Sequence, residues 1–185
     1  MSRRRGGTLC LFLLISICIP DRGSSAVTDD VYNLIIPAGE SYTLQDRHVY
    51  SNAIRIDGVL QVVPYNGTSG TGSVELAAPT MVVGSAGSIN AQAKGYGAGQ
   101  GPGAGASGNN GSGGGHGGFG GISPISSGGS AYGSLLAPVN LGSGGGSGLG
   151  VTGGAGGGAV RLDISGLLQI DGKITNVNAK SIKKP

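Results

Sequence analysis

One constellation in the 185-residue chain carries the residue types of acid–base chemistry: Arg55 with Asp57, Arg161 with Asp163, and Asp171. Stacked on neighbouring strands, such carboxylates would suit polysaccharide cleavage, in which one carboxyl group protonates the leaving oxygen and another acts as base or nucleophile. A plainer reading competes with this and is the stronger. Asp57-Gly58 and Asp171-Gly172 are typical turn pairs, and Arg and Asp at alternate strand positions face water. No catalytic residue is therefore expected. His48 and His116 have no cysteine or carboxylate at metal-ligand spacing, so neither a metal nor a cofactor is expected. Gly-x-Gly-x-x-Gly strings recur, but none sits in a strand-turn-helix unit, and phosphate-loop and Gly-x-Ser-x-Gly strings are missing. Calcium-binding glycine nonapeptides need an Asp in each repeat, which the glycine-rich part lacks. Two sequons remain, Asn66-Gly67-Thr68 and Asn110-Gly111-Ser112, which make Asn66 and Asn110 glycosylation candidates in loop-like surroundings.

The elements that must position these residues read as short strands. Val31 to Ile36 is closed by Pro37-Ala38-Gly39. Ala53-Ile54-Arg55-Ile56 alternates, turns at Asp57-Gly58 and resumes as Val59 to Val63. Weaker segments lie at Ser41–Leu44 and His48–Tyr50, and further strands at Ser73–Leu76, Thr80–Val83 and Ser88–Ala93. An internal repeat links them. Val74-Glu75-Leu76 through Gly87-Ser88-Ile89-Asn90 runs in step with Val160-Arg161-Leu162 through Gly172-Lys173-Ile174-Thr175. Ile54 to Val62 repeats the second half. Units of roughly twenty residues with Gly corners predict an all-β fold of short β-helix or solenoid-like coils. A β-sandwich is the main rival, because strands at this spacing also suit it.

Between the coils lies an insertion, residues 94–158, which holds 29 of the 41 glycines. Glycine occupies every second position from Gly95 to Gly105. The spacing becomes three at Gly111, Gly114, Gly117 and Gly120, and returns at Gly142, Gly145 and Gly148. Three residues per turn is the period of the polyproline II helix, whose amides must bond to neighbours or water. The expectation is a polyglycine II-type bundle with Phe119, Tyr132, Leu135 and Leu141 at its margin, in which valine at Gly114, Gly117 or Gly145 would push strands apart. The alternative is a flexible Gly/Ser linker.

The chain opens with Arg3-Arg4-Arg5, an apolar run from Leu9 to Ile19 and small residues Ser24-Ser25-Ala26. This is the pattern of a cleaved secretory signal, with an uncleaved anchor as the alternative. Cleavage near Ala26 would remove Cys10 and Cys18 and leave a secreted, extracellular chain without disulfides and without a membrane span. Beyond residue 26 there are eight Lys/Arg and eight Asp/Glu, so the formal charge there is zero. No basic patch with interleaved aromatics argues for nucleic acid. Lys180, Lys183 and Lys184 read as a solvated tail.

The Gly-Tyr-Gly run, Gly113 to Gly121, Leu141-Gly142-Ser143-Gly144-Gly145-Gly146 and Gly156-Gly157-Gly158-Ala159-Val160-Arg161-Leu162 resemble glycine-rich β-helical modules of large secreted and cell-surface proteins. The likeness covers about residues 54–178. A looser one is to the glycine-rich extracellular domain of anaplastic lymphoma kinase-type receptors. The resemblance implies adhesion, matrix or recognition roles, with an extracellular protein or a glycan as partner. The organisation expected is a signal peptide (1–26), β-rich coils (27–93), the glycine-rich insertion (94–158) and a closing β coil with its tail (159–185). The function expected is that of a secreted, non-catalytic structural or adhesion module. A carbohydrate-active enzyme and an ice- or surface-binding protein stand as alternatives.

Overall fold

The computed structural model describes residues 26–134 and 139–176. The leader, both cysteines, Leu135 and the lysines at 180, 183 and 184 lie outside the described residues. Ten strands form, in chain order: β1 (Thr28–Asp29), β2 (Asn33–Ile36), β3 (Ser41–Leu44), β4 (Asp46–Val49), β5 (Ala53–Ile56), β6 (Val59–Val62), β7 (Ser73–Val83), β8 (Ser88–Asn90), β9 (Ala159–Ile170) and β10 (Lys173–Thr175). They sort into two sheets. The larger runs β1-β2-β5-β7-β4, with β9 joined to β7; the smaller runs β10-β8-β6-β3. Every pairing is parallel except β1 with β2. No helix occurs among the described residues.

This corrects the expected all-β short β-helix with a polyglycine II-type insertion. The strands form two sheets with parallel pairing, not a run of equivalent coils. Asn33, Ala53, Thr80 and Leu167 share one column, so successive returns of the chain take 20, 27 and 87 residues. Units near twenty residues describe only the first return. The parallel pairing equally excludes the antiparallel β-sandwich. Two segments expected as separate strands, Ser73–Leu76 and Thr80–Val83, are one continuous β7. Pro79 lies within it, and Ser165 and Gly166 of β9 together oppose it where the register shifts. A proline cannot donate to the ladder, and two residues against one make a bulge that bends both strands.

Alternation places the core. Leu34, Ile36, Ile54, Ile56, Leu60, Val62, Val74, Leu76, Met81, Val83 and Ile89 are each at most 1% exposed. Parallel pairing puts like on like, with Ile36, Ile56 and Val83 in one column and Leu60 beside Ile89. The corners stack as well. The amides of Asp57, Gly84 and Asp171 donate to the carbonyls of Ile36, Ile56 and Val83 at 2.8, 2.9 and 2.9 Å. A Cβ on Gly58 would strike the carbonyl oxygens of Pro37 and Glu40, and one on Gly172 those of Gly84 and Gly87.

Antiparallel β1 covers the β2 end. Its Asp29 carboxylate accepts the hydroxyls of Tyr42 (2.8 Å) and Tyr50 (2.9 Å). Burial, then the bond to Asp29, pushes the Tyr50 phenol well above its usual 10.0. The bond to Asp29 raises Tyr42 too. The native state therefore holds phenol protons that the unfolded chain releases near pH 10, and the stability they contribute is lost as pH rises beyond that value. Chemical denaturation between pH 9 and pH 11.5 should show falling stability. Tyr50→Phe should flatten the slope, and an unchanged slope in that variant would contradict the assignment.

The glycine runs lie side by side and exchange backbone bonds. The run around Gly142 to Gly146 is central. Tyr96 N donates to Gly142 O (3.0 Å), Gly99 N to Gly145 O (2.9 Å), Gly142 N to Gly157 O (2.8 Å), Gly145 N to Gly154 O (2.9 Å) and Gly146 N to Ser112 O (2.8 Å). A second set joins Gly115 N to Gly103 O (2.7 Å), Gly120 N to Gly129 O (2.8 Å) and Gly129 N to Gly113 O (2.9 Å). Buried Ser143 pins the layer: its Oγ accepts from Gly103 N and donates to the Tyr132 hydroxyl, both at 2.9 Å. The Tyr132 hydroxyl in turn donates to Leu141 O. The closing end of the insertion is tied back beside the sheets, Gly158 N to Ala91 O (2.8 Å) and Ala159 N to Gly72 O (2.9 Å). The expected margin is corrected in part. Tyr132 and Leu141 are half-buried, but Phe119 is 83% exposed.

Candidate binding surface

Where β6 gives way to the loop before β7, the chain leaves the sheets and meets the glycine layer. Pro64 and the glycines of Asn66 to Gly72 turn it sharply, with φ of +92° at Gly67 and +83° at Gly70. Asn66 organises the turn. Its Oδ1 accepts the amide of Thr68 at 2.9 Å and lies 3.1 Å from the Thr71 hydroxyl, which donates to Thr68 O at 2.6 Å. The amide of Tyr65 bonds Lys94 O at 2.9 Å, fixing the loop against the start of the insertion. The rings of Tyr65 and Tyr96 then meet edge to face, with centroids 4.8 Å apart and planes at 65°. Tyr96 is held on both backbone sides, N to Gly142 O and O from Gly156 N. Its ring lies against Gly101, where a Cβ would come within 2.7 Å of Cδ2.

Tyr65, Asn66, Gly67, Tyr96, Gln100 and Gly101 line an open groove at this junction. Its chemistry is two phenol rings, two carboxamides and glycine backbone, with no carboxylate or cation in the lining. Rings of this kind stack on apolar faces, and the hydroxyls and carboxamides both donate and accept hydrogen bonds.

The sequence-derived candidates lie elsewhere. Arg55 and Asp57 form a surface ion pair, Nε to Oδ2 at 2.6 Å and Nη2 to Oδ1 at 3.0 Å. Asp171 accepts from Gln169 Nε2 at 2.7 Å. Asp57 and Asp171 occupy one corner column with Gly84 between them, which sets them two strand spacings apart, about 9–10 Å. A Cβ on Gly84 would collide with the Asp57 carboxylate. Asp163 stands on the other half of β9, opposite Ala77. Arg161 belongs to a different column, in which Glu75 takes Arg47 at 2.9 Å and Arg161 at 3.8 Å. The five residues thus do not converge.

His48 Nε2 lies 2.9 Å from Gln45 O, and the ring stacks on Tyr50. His116 packs edge-on against Tyr132, with centroids 5.0 Å apart, and its buried Nε2 has no hydrogen-bond partner. Among the described residues no group of three or more His, Cys, Asp or Glu side chains is placed to hold a metal. Asn66 and Asn110 are both exposed. The Ser112 hydroxyl of the second sequon is buried in the glycine layer, donating to Ser127 O at 2.7 Å. In the sequence Tyr96 stands out only within the Gly-Tyr-Gly run, and Tyr65 does not stand out at all. The Pro64–Gly72 loop, with its turn residues, was the available signal.

Sheets and groove together define a protein of mostly parallel strands carrying a hydrogen-bonded glycine layer, with a tyrosine–carboxamide groove at their junction. No protein-family model, no curated protein and no solved structure matches the chain. Among the described residues no helix is long and apolar enough to cross a membrane.

Proposed function

We propose that the chain is an exported, non-catalytic structural or adhesion module of the cell surface or extracellular matrix, and that its partner is a glycan held in the Tyr65–Tyr96 groove. The leader pattern supports export. The observation that carries the reading is the lining of the groove, two fixed tyrosine rings with the Asn66 and Gln100 carboxamides and no ionisable acid–base pair. Sugar rings present an apolar C–H face and a rim of hydroxyls, which phenol rings and carboxamides complement. An open groove of this kind suits a Kd on the order of 1 mM, about −4 kcal/mol.

NMR titration with a panel of neutral oligosaccharides tests this. The amides of Asn66, Gly67, Gln100 and Gly101 should shift on binding, and Tyr96→Ala should weaken the affinity about tenfold or more through loss of the stacking face. The absence of any shift at these amides across the panel, or binding unchanged in Tyr96→Ala, would refute the glycan reading.

A further inference from the structure

The two ends of the strand stack differ. At the β2 end, β1 and Tyr50 close the core, and Leu34 and Ile36 are fully buried. At the opposite end, three segments lie in chain order: Ala159–Ile164 and Leu167–Ile170, the two halves of β9 on either side of its bulge, and Lys173–Thr175 of β10. Among the described residues β9 pairs with β7 alone and β10 with β8 alone. The core columns run out into solvent here. Leu34, Ile54 and Met81 are 0–1% exposed, whereas Leu168, next in the column, is 46% exposed. Ile170 ends the Ile36–Ile56–Val83 column at 42%, and Ile174 ends the Leu60–Ile89 column at 37%. Leu167 adds a further apolar side chain on the outer face.

We propose that this end is the contact surface between two copies of the chain, joined end to end about a two-fold axis through the Leu167–Ile170 segment. Unpaired strand edges beside exposed apolar residues are templates for pairing with another chain. A head-to-tail stack would set Leu167–Ile170 against β1, which covers β2 at the far end and runs antiparallel to it, whereas a two-fold contact closes on itself. An axis through the middle segment sets it antiparallel to its own copy and exchanges the two outer segments. β10 then runs antiparallel along Ala159–Ile164 of the second copy. With Leu168 on the axis, residues equally distant from it in sequence meet. Ile174 comes against Leu162 of the second copy, and Lys173 faces Asp163 of the second copy, while both charges are exposed in the single chain. Each of these pairs occurs twice by symmetry. The arrangement puts apolar on apolar and opposite charges directly across from each other, the pairings that stabilise adjacent strands.

Sedimentation velocity of the exported chain from 1 to 200 µM tests the proposal. The expected result is a concentration-dependent dimer. Asp163→Lys, which sets a lysine opposite Lys173 twice, should raise the dissociation constant about tenfold. Combining Asp163→Lys with Lys173→Asp should restore it, and Leu168→Lys should leave only monomer. Thermal melts of the three variants check that each remains folded. A chain that stays monomeric at 200 µM, its end closed by another segment or left open, would overturn the proposal. So would a charge exchange that fails to restore the dimer in folded protein.

Discussion

Gly156→Val is expected to disrupt the glycine layer and cost the protein about 3–5 kcal/mol, a large share of a typical stability of about 5–15 kcal/mol. A Cβ on Gly156 would fall on the carbonyl of Gly142, which belongs to the central run. That neighbour is backbone and has no rotamer through which to yield. The run would have to move, breaking the bonds by which Gly156 N reaches Tyr96 O and Gly95 N reaches Gly156 O, both 2.8 Å. Gly117→Val is the matched control. A Cβ there meets nothing within 4 Å, so valine should be nearly neutral. Equilibrium denaturation of both variants checks the pair, and equal losses would contradict the close-approach explanation.

The second large effect is expected in the sheets. Ile56→Ala should destabilise by about 2–5 kcal/mol, the transfer and cavity cost of truncating a fully buried aliphatic side chain. Ile56 sits between Ile36 and Val83 in a continuous column, so the cavity opens on both sides. The backbone around it cannot close in, because the Ile56 carbonyl already lies where a Cβ of Gly87 would be. Ile35→Ala, next to Ile36 on the outer face of β2 and partly exposed, should cost much less. Urea midpoints at unchanged m-value would measure both. A cost below about 1 kcal/mol at Ile56 would mean that the column is not the core.

What the sequence revealed and what it hid follow from range. Alternation in Ala53–Ile56 and Val59–Val62 located both strands and their inner faces, because period two is a local property of the chain. The repeat between Val74-Glu75-Leu76 and Val160-Arg161-Leu162 was legible, and in the structure these residues are register partners across 86 positions. How the strands divide between sheets was not legible. The returns of 20, 27 and 87 residues have no common period, and alternation says which face is buried without saying which sheet a strand joins. The bulge at Pro79 merged two expected strands, since a proline in a strand pattern reads as a break. In the insertion, the period of three showed that runs recur but not their relative register. Gly114, Gly117 and Gly145 looked equivalent. In the structure a Cβ on Gly114 would lie 2.5 Å from Ser143 O, one on Gly145 3.5 Å from Ser112 O, and one on Gly117 in open space. The groove was hidden for the same reason. Tyr65 and Tyr96 are 31 positions apart, and they meet where the Tyr65–Lys94 backbone bond joins the loop to the insertion.

Residues 94–134 and 139–158 are held by bonds between runs, and amide hydrogen exchange resolved residue by residue tests that most directly. The amides of Gly99, Gly115, Gly120, Gly129, Gly142, Gly145, Gly146 and Gly156 each donate to a distant carbonyl and should be protected well above random-coil exchange. Protection should vanish together in Gly156→Val and persist in Gly117→Val. Exchange of all eight at the random-coil rate, with the strands β5, β6 and β7 still protected, would show a tether hung from the sheets and would contradict the layer described here.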